Sequence, residues 1–531
     1  MKEFTKRVRG GIYYLLFWVG YFSICRIVFL IYFHQQTSAL SVGTILGVCL
    51  QGIKLDVSMA AYLSVIPFLI LVLSIWISGK AARRMLRIYT FPLIFLVHFL
   101  MMFDLGLYGA WAIRLDSTPF IYLDTPQEMF ASIAVPVLAL GVIVWVISSL
   151  LVIFLFNRVI NRHFFDFQPI SYFYSPLLLG VTSLLIILMR GGFQTIPINQ
   201  SSVYVFEEMF ANHAAINFAW NFSHSIKSKS YSLENPFQRM EERSARVLVE
   251  NANRPLQEDS TRLVHNSILR NKRPNIILII WESLTAKIVE PLGGEPGVTE
   301  NLNLLANEGI LFDRFYANGD RSDKGLVAIF SGYYPQPDKS IMKIPAKSRS
   351  LPMFTLRLAS LGYEKSFYYG GDLNFGNMNS FFRQGGMTEL IDENQFAASD
   401  QNSKWGVHDH IVFERLKEDL TVETEAPFFK TIFTLSSHEP FEFPGEYKFG
   451  NDSEINSFRS AHAYTDVAVG DFVQWCKDQT WWDNTLIIIT ADHGHKLPQH
   501  EGPFNGSLKY QVPMLWLGGA LKSEPVRVDH I

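Results

Sequence analysis

The sequence predicts a two-part protein: an α-helical membrane domain of five transmembrane helices, followed by an α/β domain with a mostly parallel sheet. Three observations carry this reading. The first 190 residues of the 531 are far more apolar than the rest. From about Arg273 the pattern changes to short apolar runs alternating with helical segments, the signature of an α/β domain. Two of those runs, NIILIIW and TLIIIT, are apolar almost throughout and end in polar turns, which suits strands buried on both faces. With 49% hydrophobic and 14% aromatic residues, the chain can fill two sizeable units. A net charge of −3 gives no electrostatic footprint for nucleic acid.

The five membrane windows fall at residues 11–33, 57–78, 88–109, 133–156 and 172–189. Each is near the ~20 residues needed to cross about 30 Å of hydrocarbon. The first lacks a cleavage-type end and reads as an anchor rather than a removable leader. Lys2, Lys6, Arg7 and Arg9 precede it; Lys80, Arg83, Arg84 and Arg87 separate the second and third windows, and Arg158 and Arg162 the fourth and fifth. These basic segments share one side if every span crosses, and that side is the cytoplasm. The fifth span then delivers everything after Arg190 to the outside.

Arg26, Lys54, Asp56 and Asp104 fall toward the outer leaflet in this topology. A charge at mid-membrane costs about 2.5–3.5 kcal/mol, so such residues face partners or water. Two roles are open, an ion-pair cluster and the admission of a lipid head group. Residues 41–53 are compatible with an interfacial helix.

Residues 191–272 read as a linker that wraps the second domain or lies on the membrane surface. Within it, 204–222 suggest a packed segment, and 234–272 are charged and helix-compatible, with Pro236 and Pro255 bracketing their first part. Cys25 and Cys49 lie in the membrane half and Cys476 is alone in the other, so no disulfide can form within the second half. In the α/β domain, 273–531, strands are expected at 275–281, 311–316, 364–369, 428–435, 485–490 and 512–517. Helices are expected at 299–308, 324–330, 353–361, 408–420 and 457–477.

An open α/β sheet places its site outside the carboxyl ends of its strands. Glu282 ends the first apolar run, Asp492 and His493 follow a late one, and Ser322 in NGDRSDKG stands at the start of a helix. Carboxylates and imidazole are ligands that a divalent cation accepts. Such a cation lowers the pKa of a bound oxygen, to about 7 for zinc-bound water, which would activate the weakly nucleophilic Ser322 hydroxyl. Backbone N–H groups at the helix start, with Arg321 and Lys324 nearby, favour a phosphate-like anion beside it.

These residues resemble the lipoteichoic acid synthase family, membrane-bound phosphoglycerol transferases of the alkaline phosphatase and sulfatase superfamily. In that family a strand ending in an E-S pair gives one metal ligand, a polar segment opening a helix gives the nucleophile, and a late A-D-H-G gives two more ligands. Here these positions are Glu282, Ser322, Asp492 and His493. The family nucleophile is most often threonine, so serine is a departure that keeps the hydroxyl. The resemblance extends to 370–386, 405–409 and 436–441 and to the five-span membrane half.

The resemblance implies a sulfatase-like catalytic domain outside a bacterial-type cytoplasmic membrane, with manganese as the usual metal and Mg²⁺ or Zn²⁺ compatible with the same ligands. It also implies a phospholipid donor, a glycan or polymer acceptor, and a phospho-serine intermediate. Arg383 looks like a family arginine near the phosphate, and a guanidinium suits a bidentate clamp. Asp372 in the same loop can hold a glycerol or amine head group. His438 in SSHEPF resembles a family histidine that assists proton transfer or binds phosphate. His408 and Asp409 match a family segment without an assigned chemistry, and His495 and His500 are candidates to support the metal residues from behind.

Formylglycine sulfatases need C-x-P-x-R or S-x-P-x-R at the nucleophile, whereas Ser322 is followed by Asp-Lys-Gly-Leu. An alkaline phosphatase-type hydrolase needs ligands for two metals, and four good ligands suffice for one. The rivals to phosphoglycerol transfer are phosphoethanolamine transfer and a catalytically silent glycan-binding membrane protein. The sequence stops at Val528-Asp529-His530-Ile531, where the family typically continues with a further helix and closing elements. The expectation is a domain truncated at its C-terminus or a short member.

Overall fold

The computed structural model describes residues 1–117, 135–159, 167–227, 240–252, 268–336, 339–422, 426–500, 506–522 and 524–529. The chain divides into two units, Met1–Gln238 and Arg239–Ile531. Arg162, Pro236, Pro255, His530 and Ile531 lie outside the described residues.

In the first unit, five described helical stretches are long and apolar enough to cross a membrane: Lys2–Tyr32, Val42–Leu73, Gly79–Gly109, Ala139–Arg158 and Tyr172–Arg190. Ser41 caps the second by accepting the Thr44 N–H at 3.0 Å. Residues 42–53 are therefore the opening turns of that long helix and do not form a separate interfacial one.

Arg26, Asp56 and Asp104, three of the four ionisable residues singled out in the spans, enter two buried pairs. Arg26 grips Asp56 with two hydrogen bonds of 2.6 and 2.8 Å. Arg114 reaches Asp104 at 3.0 and 3.1 Å. Lys54 is exposed. Both arginines also donate to the end of the helix Met209–Ala215, Arg26 to the Ala215 carbonyl and Arg114 to that of His213. The expected connector thus divides. Ile198, Val203, Tyr204, Ile216 and Trp220 share a core with the span helices, and Asn217 donates to Asp56 at 2.8 Å.

The second unit is built on an eight-stranded sheet: β1 Asn275–Trp281, β2 Ile310–Phe312, β3 Glu364–Tyr369, β4 Glu389–Ile391, β5 Phe428–Phe433, β6 Thr485–Ala491, β7 Met514–Leu517 and β8 Val526–Val528. The spatial order is β4-β3-β5-β1-β6-β7-β2-β8, and only β7 runs against its neighbours. Alternate residues of β1 enter opposite cores, Ile277, Ile279 and Trp281 on one face and Leu278 and Ile280 on the other. This two-sided burial explains why the strand is apolar throughout. The first core is closed by the helices Asp409–Leu420 and Glu454–Lys477, the second by Ser322–Ser331 and Met378–Gln384.

Several boundaries shift. The second strand is Ile310–Phe312 rather than 311–316, the helix expected from 324 begins at Ser322, that expected at 299–308 is Glu300–Leu305, that expected from 457 begins at Glu454, and the strands expected at 428–435 and 512–517 are Phe428–Phe433 and Met514–Leu517. The short strands β4 and β8 were not anticipated.

Candidate active site

Register brings the acidic ends together. β1 pairs in parallel with β6, Trp281 opposite Ala491, so the next residues, Glu282 and Asp492, leave adjacent strands side by side. The helix Ser322–Ser331 then presses its first turn onto the end of β6. At Gly325 a β-carbon would lie 1.9 Å from the Asp492 carbonyl oxygen, so only glycine permits that approach. Ser283 adopts a left-handed φ of 59°, uncommon for a residue with a β-carbon. That turn aims its N–H at Asp492 Oδ1 (2.9 Å) and its hydroxyl at Glu282 Oε1 (2.6 Å).

Glu282, Asp492 and His493 are all buried, and their ligand atoms lie within 4.8 Å of one another. His493 Nε2 is 3.6 Å from Glu282 and 3.4 Å from Asp492. Its Nδ1 donates to the Gly494 carbonyl at 2.8 Å, which turns Nε2 toward the carboxylates. Ser322 Oγ donates to Glu282 Oε2 at 3.1 Å.

Burial and the neighbouring Glu282 charge push the Asp492 carboxyl up to about 7. Burial also works against ionised Glu282, but His493, His438 and the Ser283 hydroxyl outweigh it and hold Glu282 below its ordinary value. Asp492 Oδ2 is buried without a hydrogen-bond partner. Two carboxylates, one oriented imidazole and an orphaned carboxylate oxygen form a donor set that fits a divalent cation, with Ser322 as a further ligand.

The set opens on a cleft of about 550 Å³. His438 lines it, with Nδ1 donating to the Glu439 carbonyl at 2.9 Å and its ring edge-on to Trp405 at 4.8 Å. His495 lines it too, 3.6 Å from Glu439, whereas His500 lines a separate cavity of about 250 Å³ with Lys287. Burial, then His493, push the His495 imidazole down to about 4.

Two assigned residues are elsewhere. Arg383 ends its helix with Nη1 donating to the Thr388 carbonyl at 2.7 Å, and it is absent from the cleft wall. Asp372 is likewise outside that wall, folded back to accept the Asn374 N–H at 2.8 Å. The cations lining the cleft are Arg321, Lys343, Lys496 and Lys509. Lys343 is paired with Asp323 and Lys496 with Glu439. Arg321 is exposed, and its side chain makes no hydrogen bond or ion pair among the described residues. Lys324 turns instead to Asp320, at 3.2 Å. Lys343 and Lys509 come from short helical turns without a motif, whereas Phe375 falls within 370–386 and Lys496 directly follows A-D-H-G-H.

A sulfatase family model matches residues 274–530. The chain is 28% identical over 234 residues to lipoteichoic acid synthase 2 of Bacillus subtilis, covering 41% of this chain and 35% of that protein. It is 25% identical over 235 residues to the lipoteichoic acid synthase of Staphylococcus aureus, covering 42% and 36%. The match thus spans little more than a third of the length of these relatives. Among solved structures, an alkaline phosphatase superfamily protein from Vibrio parahaemolyticus aligns with a TM-score of 0.47 at 29% identity, over 55% of this chain and 72% of that one. Residues 274–530 thus match the sulfatase family model, and the lipoteichoic acid synthases are relatives at 25–28% identity over this part of the chain.

Proposed function

We propose that this protein is a membrane phosphotransferase that moves the phosphoglycerol head group of a phospholipid, through a phospho-serine intermediate, to a hydroxyl of a glycan or polymer. One observation carries the reading: Ser322 stands at a helix start on the cleft wall, hydrogen-bonded to Glu282 within a buried two-carboxylate, one-imidazole set. The lipoteichoic acid synthases among its relatives support the phosphoglycerol class. A divalent cation, manganese first and magnesium or zinc as alternatives, held by Glu282, Asp492, His493 and Ser322, would supply charge that acidifies the hydroxyl and offsets the phosphate.

In the first step Ser322 Oγ bonds to phosphorus and its proton leaves along the hydrogen bond to Glu282. The P–O bond to diacylglycerol breaks, and the departing oxygen keeps the electron pair and takes a proton from His438. In the second step His438 removes the proton of the acceptor hydroxyl, whose oxygen bonds to phosphorus. The P–Oγ bond breaks and Ser322 recovers its proton from Glu282. Arg321 and the N–H groups of the first helical turn hold the non-bridging oxygens, the task the sequence assigned to Arg383. The basic residues on alternate connections support a location of this domain outside the cytoplasmic membrane.

The test is intact-mass analysis of the full chain in detergent after incubation with phosphatidylglycerol and Mn²⁺, beside Ser322→Ala. The expected result is a gain of one phosphoglycerol unit, absent in the variant. An adduct formed only with phosphatidylethanolamine moves the donor to that lipid. No adduct with either overturns the covalent mechanism.

A further inference from the structure

Asp409 lies outside the cleft wall, yet it binds residues 435 and 436, whose chain neighbours 434 and 437 hold the peptide of Glu282. Its carboxylate is 1% exposed and opens the helix Asp409–Leu420. Oδ1 accepts the Leu435 N–H at 2.6 Å and the Ser436 N–H at 3.2 Å, and Oδ2 accepts the Thr465 hydroxyl at 2.7 Å. The Asp409 N–H donates in turn to Ser436 Oγ at 3.1 Å. The chain leaving β5 is therefore wrapped around one buried anion, and Thr465 ties that anion to the long helix Glu454–Lys477.

The same turn grips Glu282 from both sides. The Glu282 N–H donates to Thr434 Oγ1 at 2.9 Å, and the Ser437 hydroxyl donates to the Glu282 carbonyl at 2.8 Å. Thr434 is further anchored by donating its own N–H to the Ile280 carbonyl at 3.0 Å. The His438 N–H donates to the Leu435 carbonyl at 2.9 Å, so the peptide held by Asp409 also sets the start of the His438 turn.

We infer that Asp409 is a positioning residue: through residues 434–438 it fixes where Glu282 and His438 stand at the cleft, without touching substrate or cation. Burial pushes its carboxyl upward, and its donors from Leu435, Thr465 and Ser436 oppose that shift. A neutral amide of the same shape can accept from only one of its two terminal atoms. With its NH₂ in the place of Oδ2, the Thr465 hydroxyl would have to accept instead of donate and the Ser436 N–H would lose its contact to that atom, so the turn would relax. Second-layer contacts of metal ligands carry about 10–100-fold in metal affinity, and Asp409 acts one bond further out.

The inference rests on the phosphotransfer reading for its activity arm but not for its binding arm. The experiment compares the full chain in detergent with Asp409→Asn and Thr465→Val, measuring Mn²⁺ affinity by calorimetric titration, adduct formation as kcat and KM, and thermal unfolding. Asp409→Asn is expected to unfold within a few degrees of the parent. Its Mn²⁺ affinity should fall about tenfold, and kcat should fall more than KM rises. Thr465→Val, which removes one donor to the same carboxylate, should shift both quantities in the same direction by a few-fold. Should Asp409→Asn fail to fold, Thr465→Val decides alone. Parent-like Mn²⁺ affinity and kcat in the folded variants overturn the role. A parent chain that binds Mn²⁺ but forms no adduct sinks the transfer mechanism, while the titration still decides on Asp409.

Discussion

Arg321 and Arg383 answer one chemical requirement, a guanidinium for a phosphate, and only the first lines the cleft. Charge-assisted hydrogen bonds to a desolvated phosphate are worth about 1.5–3 kcal/mol, so Arg321→Ala should lower kcat/KM roughly 10–100-fold. Arg383→Ala should stay within about threefold, and steady-state kinetics on the two variants checks both. The sequence could not separate them, because loop composition shows which residue types are present but not which way the chain turns. Arg383 sits in the last turn of its helix and is drawn to the Thr388 carbonyl. Glu282, Asp492 and His493 were legible because each directly follows an apolar strand, and the two strands are neighbours in register. Lys343 and Lys509 reach the cleft from short helical turns that carry no such marker.

A pH prediction belongs to the same scale. Burial, then Asp372 and Asp392, push the half-buried Glu393 carboxyl up to about 7. Its folded pKa is above the unfolded one, so the protonated form is favoured in the fold. That contribution is full below the unfolded pKa near 4.5 and is lost as pH rises through about 7. Discounted for its partial exposure, the cost of ionisation is about 1–2 kcal/mol. Glu393→Gln should therefore raise the Tm relative to the parent at pH 8, with the gap closing toward pH 5. Parallel curves across this range would show that Glu393 titrates normally.

The helix Ser322–Ser331 works as an element because its first turn lies directly on the end of β6. A methyl at position 325 has to displace either the helix or the Asp492 peptide. Overpacking of this kind costs about 1–3 kcal/mol, and more where the obstacle is backbone. Gly325→Ala should lower the Tm by several degrees and weaken Mn²⁺ binding, while Gly332→Ala, past the far end of the helix, should leave Mn²⁺ binding unchanged. Calorimetric titration distinguishes the two. The helix was legible from its polar start and apolar interior, whereas its contact with β6 depends on a crossover between residues far apart in sequence. The strands β4 and β8 escaped for a different reason. Each is only three residues long and lies at the outer end of the sheet order, so neither offers enough alternation to register as a strand.

Taken as a whole, the molecule separates what hydropathy can report from what it cannot. The five apolar helices were plain in the sequence, but their charges were legible only as anomalies. The partner of Asp104 is ten residues away at Arg114, past the end of its apolar window, and Asp56 reaches back thirty residues to Arg26. Removing one member of such a pair leaves a buried charge and costs about 3–5 kcal/mol, whereas replacing both by apolar residues is often nearly neutral. Arg26→Leu and Asp56→Leu should each sharply lower the Tm of the first unit in detergent, and the double variant should recover most of the loss. Because Arg26 also holds the Ala215 carbonyl and Asn217 also holds Asp56, recovery should be incomplete. The same double variant decides between the two roles the sequence left open. If it is stable and still forms the Ser322 adduct from phosphatidylglycerol in micelles and in vesicles, the pair serves to hold residues 215–217 against the helices. If it is stable and forms the adduct only from micellar lipid, the pair also serves the passage of the head group.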